Sequence, residues 1–222
     1  PTGDKDPFAL RRHALGVLRM LTEKAPALGL AGLLDAAYTA FGDKLPTDRS
    51  AALQALADFL FDRLAGSLRE QGYSTQEVDA VLALRPGSLG DIPQRLAAVR
   101  VFASLPEAAA LAAANKRIGN ILKKADGPVD AHVSEVLLQE PAEKALFAAM
   151  QATLPQAQAQ FDAGDFTASL QTLAALRAPV DAYFDGVMVN AEALDVRLNR
   201  LGTLKSLHVA MNRVADLSRL AS

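Results

Sequence analysis

Apolar residues recur three and four positions apart along almost the whole of this chain, and that period belongs to helices that each bury one stripe. Composition narrows the packing further. Only 5% of the 222 residues are aromatic and none is Trp, so a core drawn from a 50% hydrophobic chain is built mainly of Leu and Ala. Side chains without branching at Cβ favour close helix contacts over a pleated sheet. The reading is an all-α multi-helix bundle, with strand content limited to at most a short bridge.

Caps and breakers divide the pattern. Asp6-Pro7 starts a helix through Leu10, Leu15, Leu18 and Leu21, with the carboxylate as cap and the ring at the first helical position, and Pro26 and Gly29 end it. A second helix fits residues 30–41 and stops at Gly42. Thr47 or Asp48 caps a long third helix through Leu53, Leu56, Phe59, Leu60 and Leu64, ending near Glu70 ahead of Gly72. These helices form a first unit, residues 1–72. The second unit, 73–222, opens on a capping box, Ser74 with Glu77, before Val78 and Val81. Arg85-Pro86-Gly87-Ser88 breaks that helix and Asp91-Ile92 restarts the pattern, with Arg95 and Arg100 away from the centre of the apolar stripe. The segment 129–138 reads as a loop with one helical turn. Glu140-Pro141 begins a helix that Pro155 should interrupt, and Pro179 opens one through Tyr183 and Phe184 to Met188. A last helix is expected from Ala193 to about Leu220, its stripe of Leu194, Leu198, Leu201 and Leu204 facing the core.

One helix has two chemically distinct sides. In the run 114–124, Ile118, Ile121 and Leu122 share one side, while Lys116, Arg117, Asn120, Lys123 and Lys124 fall together on the other. An ordinary solvated face accounts for such a strip by default. A phosphate-facing surface accounts for it too, and the amide and guanidinium would then be fixed donors. The chain carries 23 Lys and Arg against 25 Asp and Glu, a net charge of −2, so any nucleic-acid binding must rest on a local patch rather than on bulk attraction.

Other chemistries lack their parts. There is no Cys, which removes disulfides, thiolate metal sites and cysteine nucleophiles. His13, His132 and His208 are far apart and form no helical metal motif, and His208 is expected to pack in the core. No glycine-rich phosphate loop exists, so ATP has no evident seat, and Asp58 with Asp62 reads as an exposed helix face. No catalytic residue and no metal ligand is assigned. No apolar run reaches about 18 residues and no leader pattern is seen, so neither membrane span nor signal peptide is expected, and a cytoplasmic location is. A chain that starts at Pro1 rather than Met is expected to be a piece of a longer protein.

Three segments in order carry a family resemblance: Pro1-Thr2-Gly3-Asp4-Lys5-Asp6-Pro7-Phe8-Ala9-Leu10-Arg11-Arg12, the basic run Ala114 to Lys124, and the pair Phe184-Asp185-Gly186-Val187-Met188-Val189 and Arg197-Leu198-Asn199-Arg200-Leu201. Together they resemble the C-terminal region of the beta subunit of bacterial heterotetrameric glycyl-tRNA synthetase. The resemblance implies an anticodon-binding helical domain, related to that of arginyl-tRNA synthetase and named for an Asp-Ala-Leu-Arg sequence, preceded by the tail of an upstream region. Here the corresponding tetrapeptide is Leu194-Asp195-Val196-Arg197, which keeps the arginine.

The implied function is to hold the anticodon arm of glycine tRNA, while the alpha subunit performs the ATP- and Mg-dependent chemistry. The implied partners are glycine tRNA, the alpha subunit and a second beta subunit, with no cofactor on this piece. The candidate RNA contacts are Lys116, Arg117, Asn120, Lys123, Lys124, Arg197 and Arg200. Arg197 and Arg200 equally suit ion pairs with Asp185, Glu192 or Asp195. Phe184 and Met188 read as core, and Tyr183 as a partly exposed ring able to stack on a base. The alternatives are a helical scaffold for subunit assembly without tRNA contact, and the arginine enzyme's own domain.

Overall fold

In a computed structural model, which describes residues 6, 8–24, 28–45 and 48–221, the described residues form ten α-helices joined by turns and short 3-10 segments. Pro7, Pro26 and Thr47 lie outside the described residues, as do residues 1–5. Among the described residues the sole strand-like pairing is an isolated antiparallel bridge between Gly29 and Ser88. The all-helical expectation therefore holds. The chain divides into two compact units, Pro1–Leu96 and Ala97–Ser222.

The first unit contains α1 (Leu10–Glu23), α2 (Leu30–Phe41), α3 (Arg49–Glu70) and α4 (Thr75–Leu82). Helix α1 starts at Leu10, later than the Asp6-Pro7 reading places it, with Ala9 at the N-cap; Asp6 still serves the first turn, its carboxylate accepting the Leu10 and Arg11 amide hydrogens at 2.8 and 2.9 Å. Asp48 does the same for α3 through Ala51 N–H at 2.9 Å. The capping box of α4 is complete, Ser74 Oγ taking Glu77 N–H and Glu77 Oε2 taking Ser74 N–H. Both α1 and α2 pack on α3, burying Ala14, Leu18 and Leu21 from the first and Leu30 from the second, against Leu60 and Leu64. Leu56, placed in the stripe by sequence, is instead 44% exposed.

The boundary at Leu96 and Ala97 falls within α5 (Ile92–Ala103), in which Arg95 is buried rather than turned away from the stripe. The second unit continues with α6 (Ala108–Lys123), α7 (Pro141–Asp162), α8 (Phe166–Ala174), α9 (Arg177–Gly186) and α10 (Leu194–Met211). Between α6 and α7 the loop carries a single 3-10 turn, Glu135–Leu137, as the sequence indicates.

Two breaks fall elsewhere than expected. Helix α7 runs straight through Pro155. The ring removes one hydrogen bond to the carbonyl four residues back, on Gln151, but Pro155 and Gln151 are both exposed, so water can satisfy that carbonyl. Helix α10 stops at Met211 instead of continuing to Leu220. There Asn212 folds its amide back onto the His208 carbonyl at 2.8 Å and accepts Leu217 N–H at 3.1 Å, which turns the chain into a separate 3-10 segment, Leu217–Leu220.

The leucine stripe of α10 does not face the core along its length. Leu194 and Leu198 are 57% and 52% exposed, whereas Val196, Asn199, Arg200, Thr203, Leu204 and Leu207 are buried. Polar groups on that buried side are each satisfied. Asn199 pairs with both backbone groups of Ser134, accepting its N–H at 2.7 Å and donating to its carbonyl at 3.0 Å, and Thr203 Oγ1 donates to the Asn199 carbonyl. At the same level the loop 130–134 lies so close to α10 that a Cβ on Gly202 would collide with the His132 carbonyl oxygen.

Arg200 is the centre of this arrangement. It grips buried Glu143 of α7 with two hydrogen bonds, Nε to Oε1 at 2.9 Å and Nη2 to Oε2 at 3.0 Å, and Nη1 donates to the Met188 carbonyl at 2.7 Å. Glu143 also closes the capping box of α7, taking the amide hydrogens of Gln139 and Glu140. Burial pushes the Glu143 carboxyl up, but the Arg200 guanidinium and those amides outweigh it and hold the group below the usual carboxylate range. The same hydrogen bonds raise Arg200 further. With Arg200 only 4% exposed, its expected place at an RNA-facing surface is corrected, and its partner is none of the three carboxylates near it in sequence.

Two substitutions test this packing. Arg200→Leu leaves the buried Glu143 carboxylate unpaired and should lower unfolding stability by about 3–5 kcal/mol. Gly202→Ala would be a stabilising change in an isolated helix, yet here it should cost about 1–3 kcal/mol in urea denaturation, because the obstructing atom is backbone and cannot rotate aside.

Candidate nucleic-acid interface

Helix α6 buries Leu111, Asn115 and Ile118 and exposes Lys116, Arg117, Asn120 and Lys123, with Lys124 exposed at its C-cap, so the basic side read from sequence is the exposed side, while Ile121 and Leu122, read with Ile118 on the apolar side, are only half-buried. A buried asparagine in an apolar stripe needs a polar partner. Asn115 finds it in Asn212: each side-chain amide donates to the other's oxygen, at 2.8 and 2.9 Å. This reciprocal pair locks the rotation of α6 against the end of α10 and thereby fixes which side of α6 meets solvent.

Close approach supports the same register. A Cβ on Gly119 would sit 3.4 Å from His208 Nε2, at ordinary contact distance. His208 is half-buried rather than fully packed, and burial first, with Lys205 and Lys123 adding to it against Asp216, holds its imidazole below the ordinary histidine range. The positive side of α6 is thus backed by a predominantly neutral ring at pH 7.

The basic side is an open groove of 360 Å³ lined by Lys116, Arg117, Asn120, Lys124, Ile121 and, from the end of the chain, Ala221. Lys123 is exposed on the same helix but does not line it. The Leu217–Leu220 segment packs on α6 and brings Ala221, which follows it, to the groove. Arg117 does not wave freely: its guanidinium lies over the Phe184 ring of α9, 4.2 Å from the centroid. A cation held over an aromatic face gains about 0.5–1 kcal/mol when exposed, and the plane of the guanidinium is oriented as well. Phe184 is half-buried and serves as this platform, which corrects its reading as plain core. Behind it Tyr183 meets the ring edge-on, centroids 5.8 Å apart at 84°.

Tyr183 itself is 1% exposed, its hydroxyl reaching toward the Arg200 carbonyl at 3.5 Å, and burial raises its pKa well above the ordinary value. It is closed to a stacking base. Met188, expected inside, is 74% exposed, because Arg200 claims its carbonyl and leaves the side chain outward. Arg197 is half-buried and donates to the Ala191 carbonyl at 3.2 Å, steadying the turn before α10. Of the seven sequence-predicted contacts the structure therefore gathers Lys116, Arg117, Asn120 and Lys124 around one groove, keeps Lys123 exposed beside it, commits part of Arg197 to the backbone and places Arg200 inside. The contributions of Phe184 and Ala221 come from distant segments and carry no local pattern; the amide pair leaves one trace, a lone asparagine among apolar positions.

Among the described residues, Lys116, Arg117, Lys123 and Lys124 have no carboxylate within ion-pair distance, whereas Arg49, Arg69, Arg85, Arg177, Arg200 and Arg219 all do. Those four α6 cations form an unneutralised positive strip. Among the described residues no cluster of metal-ligating side chains occurs. Among the described residues no single helix is long and apolar enough to cross a membrane.

Known proteins match both parts of the chain. Residues 1–83 match the family model described as glycyl-tRNA synthetase beta subunit, and residues 111–217 the model described as DALR anticodon binding domain. Relatives named glycine-tRNA ligase beta subunit are 71% identical in Polaromonas naphthalenivorans (strain CJ2), over all of this chain and 31% of that protein, and 71% in Acidovorax sp. (strain JS42), over 30% of that protein. In Methylobacillus flagellatus the identity is 62% over 31% of the relative. The chain spans about a third of the length of the relatives it matches. The basic groove, lined by α6 and Ala221, falls almost wholly inside the matched anticodon-binding segment, and on these matches the chain belongs to the glycyl-tRNA synthetase beta subunit family, with a DALR anticodon binding domain in residues 111–217.

Proposed function

We propose that this chain is the tRNA-holding part of a glycine-tRNA ligase, and that it binds the anticodon arm of glycine tRNA along the groove on α6. The observation that carries the reading is the unneutralised strip of Lys116, Arg117, Lys123 and Lys124 in a chain of net charge −2 whose other described arginine pairs absorb their charge internally. Phosphate contacts give affinity and register, and base edges give specificity. Lys116 and Lys124, flexible point charges at the groove walls, suit backbone phosphates. Arg117, held flat on Phe184, and Asn120, one turn along, suit a base edge. Glycine codons share GG at their first two positions, so the anticodons share two cytosines, whose ring nitrogen and carbonyl accept from a guanidinium and whose amino group donates to an amide oxygen.

Activation of glycine, with ATP and Mg, is assigned to the alpha subunit in the assembled enzyme, together with a second beta subunit. This chain's residues supply none of that chemistry in the proposal. Arg197 and Arg200 contribute by holding the segment between α9 and α10, and so the position of Phe184.

The test separates phosphate from base contacts. Replacing Lys116 and Lys124 together by Ala should weaken glycine tRNA binding and flatten its salt dependence by up to about one counterion per lost phosphate contact. Folding stability should change by less than about 0.5 kcal/mol, as for exposed charges outside networks. Phe184→Leu should leave the salt slope unchanged and reduce the preference for glycine tRNA over one with altered anticodon bases. Unchanged affinity and slope in the folded double variant would remove the groove from tRNA binding and leave assembly as the function of this domain.

A further inference from the structure

The first unit carries a concavity of a different kind. Helices α1, α2 and α3 diverge around a trough of 910 Å³, against 360 Å³ for the basic groove, and of its lining residues only His13 is ionisable. Its walls are large apolar side chains left in contact with solvent: Leu10 is 44% exposed, Val17 39%, Met20 57%, Leu28 48% and Leu56 44%. In α2 the buried set is Leu30 alone, with Leu33 and Leu34 half-buried on the trough. An exposed apolar surface of this continuity marks a place where something else packs.

The chemistry of the walls narrows the occupant. A small-molecule pocket of this size orients its ligand with a few convergent polar groups, and His13 alone does not make such a set. A β-strand has nothing to pair with, because the walls are helices whose backbone groups are satisfied internally. What fits is an amphipathic helix offering apolar residues at three- and four-residue spacing. Its source is indicated by length: these residues cover 31% of the Polaromonas naphthalenivorans relative, so about two thirds of such a subunit lies outside them. The trough also lies in residues 1–83, the part that matches the beta-subunit family model.

We propose that the α1–α2–α3 trough is an internal docking surface, seated in the full-length beta subunit by an apolar-faced helix from the polypeptide outside these 222 residues. The inference depends on the family relationship and not on tRNA binding by α6, so the two stand or fall separately. It makes the first unit an incomplete core that the rest of the subunit finishes.

Thiol labelling reads the cover directly, since this chain has no native Cys. Met20→Cys places a thiol on the trough wall, and Gln54→Cys an exposed control on another side of α3, both followed residue by residue by mass spectrometry in the 222-residue chain and in the full-length beta subunit. Covering should slow maleimide reaction at Met20→Cys by roughly tenfold or more in the full-length subunit while the control reacts equally in both, because reaction then waits on local opening. Hydrogen exchange of the unsubstituted proteins supplies a second measurement, with α1 and α2 amides expected to be slower in the full-length subunit. Equal labelling and equal exchange at the two lengths would overturn the proposal. So would a 222-residue chain that dimerises in sedimentation with concentration-dependent protection of Met20→Cys, an outcome that gives the trough to a second copy.

Discussion

The ion pair between Glu143 and Arg200 organises the anticodon-binding unit. Burying two charges is unfavourable by itself, and it is tolerated here because nearly every hydrogen-bonding position is used: Glu143 receives two bonds from the guanidinium and two from backbone amides, and Arg200 spends its third nitrogen on the Met188 carbonyl. Three pieces of chain meet at that point, the first turn of α7, the middle of α10 and the segment after α9. Because Met188 is fixed two residues past the end of α9, the rotation of α9 is fixed as well. Tyr183 then turns inward toward the Arg200 carbonyl and Phe184 turns outward beneath Arg117. The orientation of a surface guanidinium is thus set by a salt bridge that never sees solvent.

A second polar device sets the other boundary of the groove. The Asn115–Asn212 amide pair ties α6 to the end of α10, and Asn212 also turns the chain so that Leu217–Leu220 comes back across α6. Apolar packing alone is tolerant of small rotations of a helix. A pair of directional amide bonds is not, and a strip of side chains that must face one way benefits from that intolerance.

What could be read from the sequence followed from local physics. The capping box at Ser74 and Glu77, the cap at Asp48, the first-turn bonds of Asp6 and the basic side of α6 are each decided within a turn or two of helix, and each is present. The misreadings are decided by distant residues. On α10 the leucines at 194 and 198 lie roughly half a turn from Val196, Arg200, Thr203 and Leu207, and the side that enters the core is the one with polar groups on it. Counting leucines places Leu201 and Leu204 correctly in the core but not Leu194 and Leu198, and it misses the buried polar groups, because burial of Arg200 depends on Glu143, 57 residues away, and burial of Asn199 on Ser134. The same holds for Arg117 and Phe184, which look like a solvated cation and a core ring until α6 and α9 are placed side by side. Pro155 misleads for the opposite reason, since its exposed position on α7 removes most of the penalty that the sequence rule assumes.

The two units leave different surfaces unfinished, and the difference has a physical logic. On α6 the unfinished quantity is charge, which acts over about a Debye length, is weakened by salt and so allows a ligand to arrive and leave. In the α1–α2–α3 trough it is apolar area, which acts only at contact and grows with the area covered, and so favours a partner that stays. If α6 holds tRNA and the trough seats a helix of the same subunit, as proposed, the two kinds of contact cannot be exchanged: an apolar α6 groove would hold RNA poorly, and a purely charged internal joint would loosen with ionic strength. The overall charge of −2 is consistent with this separation, because it denies nonspecific RNA a general attraction and leaves the clustering of four cations on α6 as a local patch.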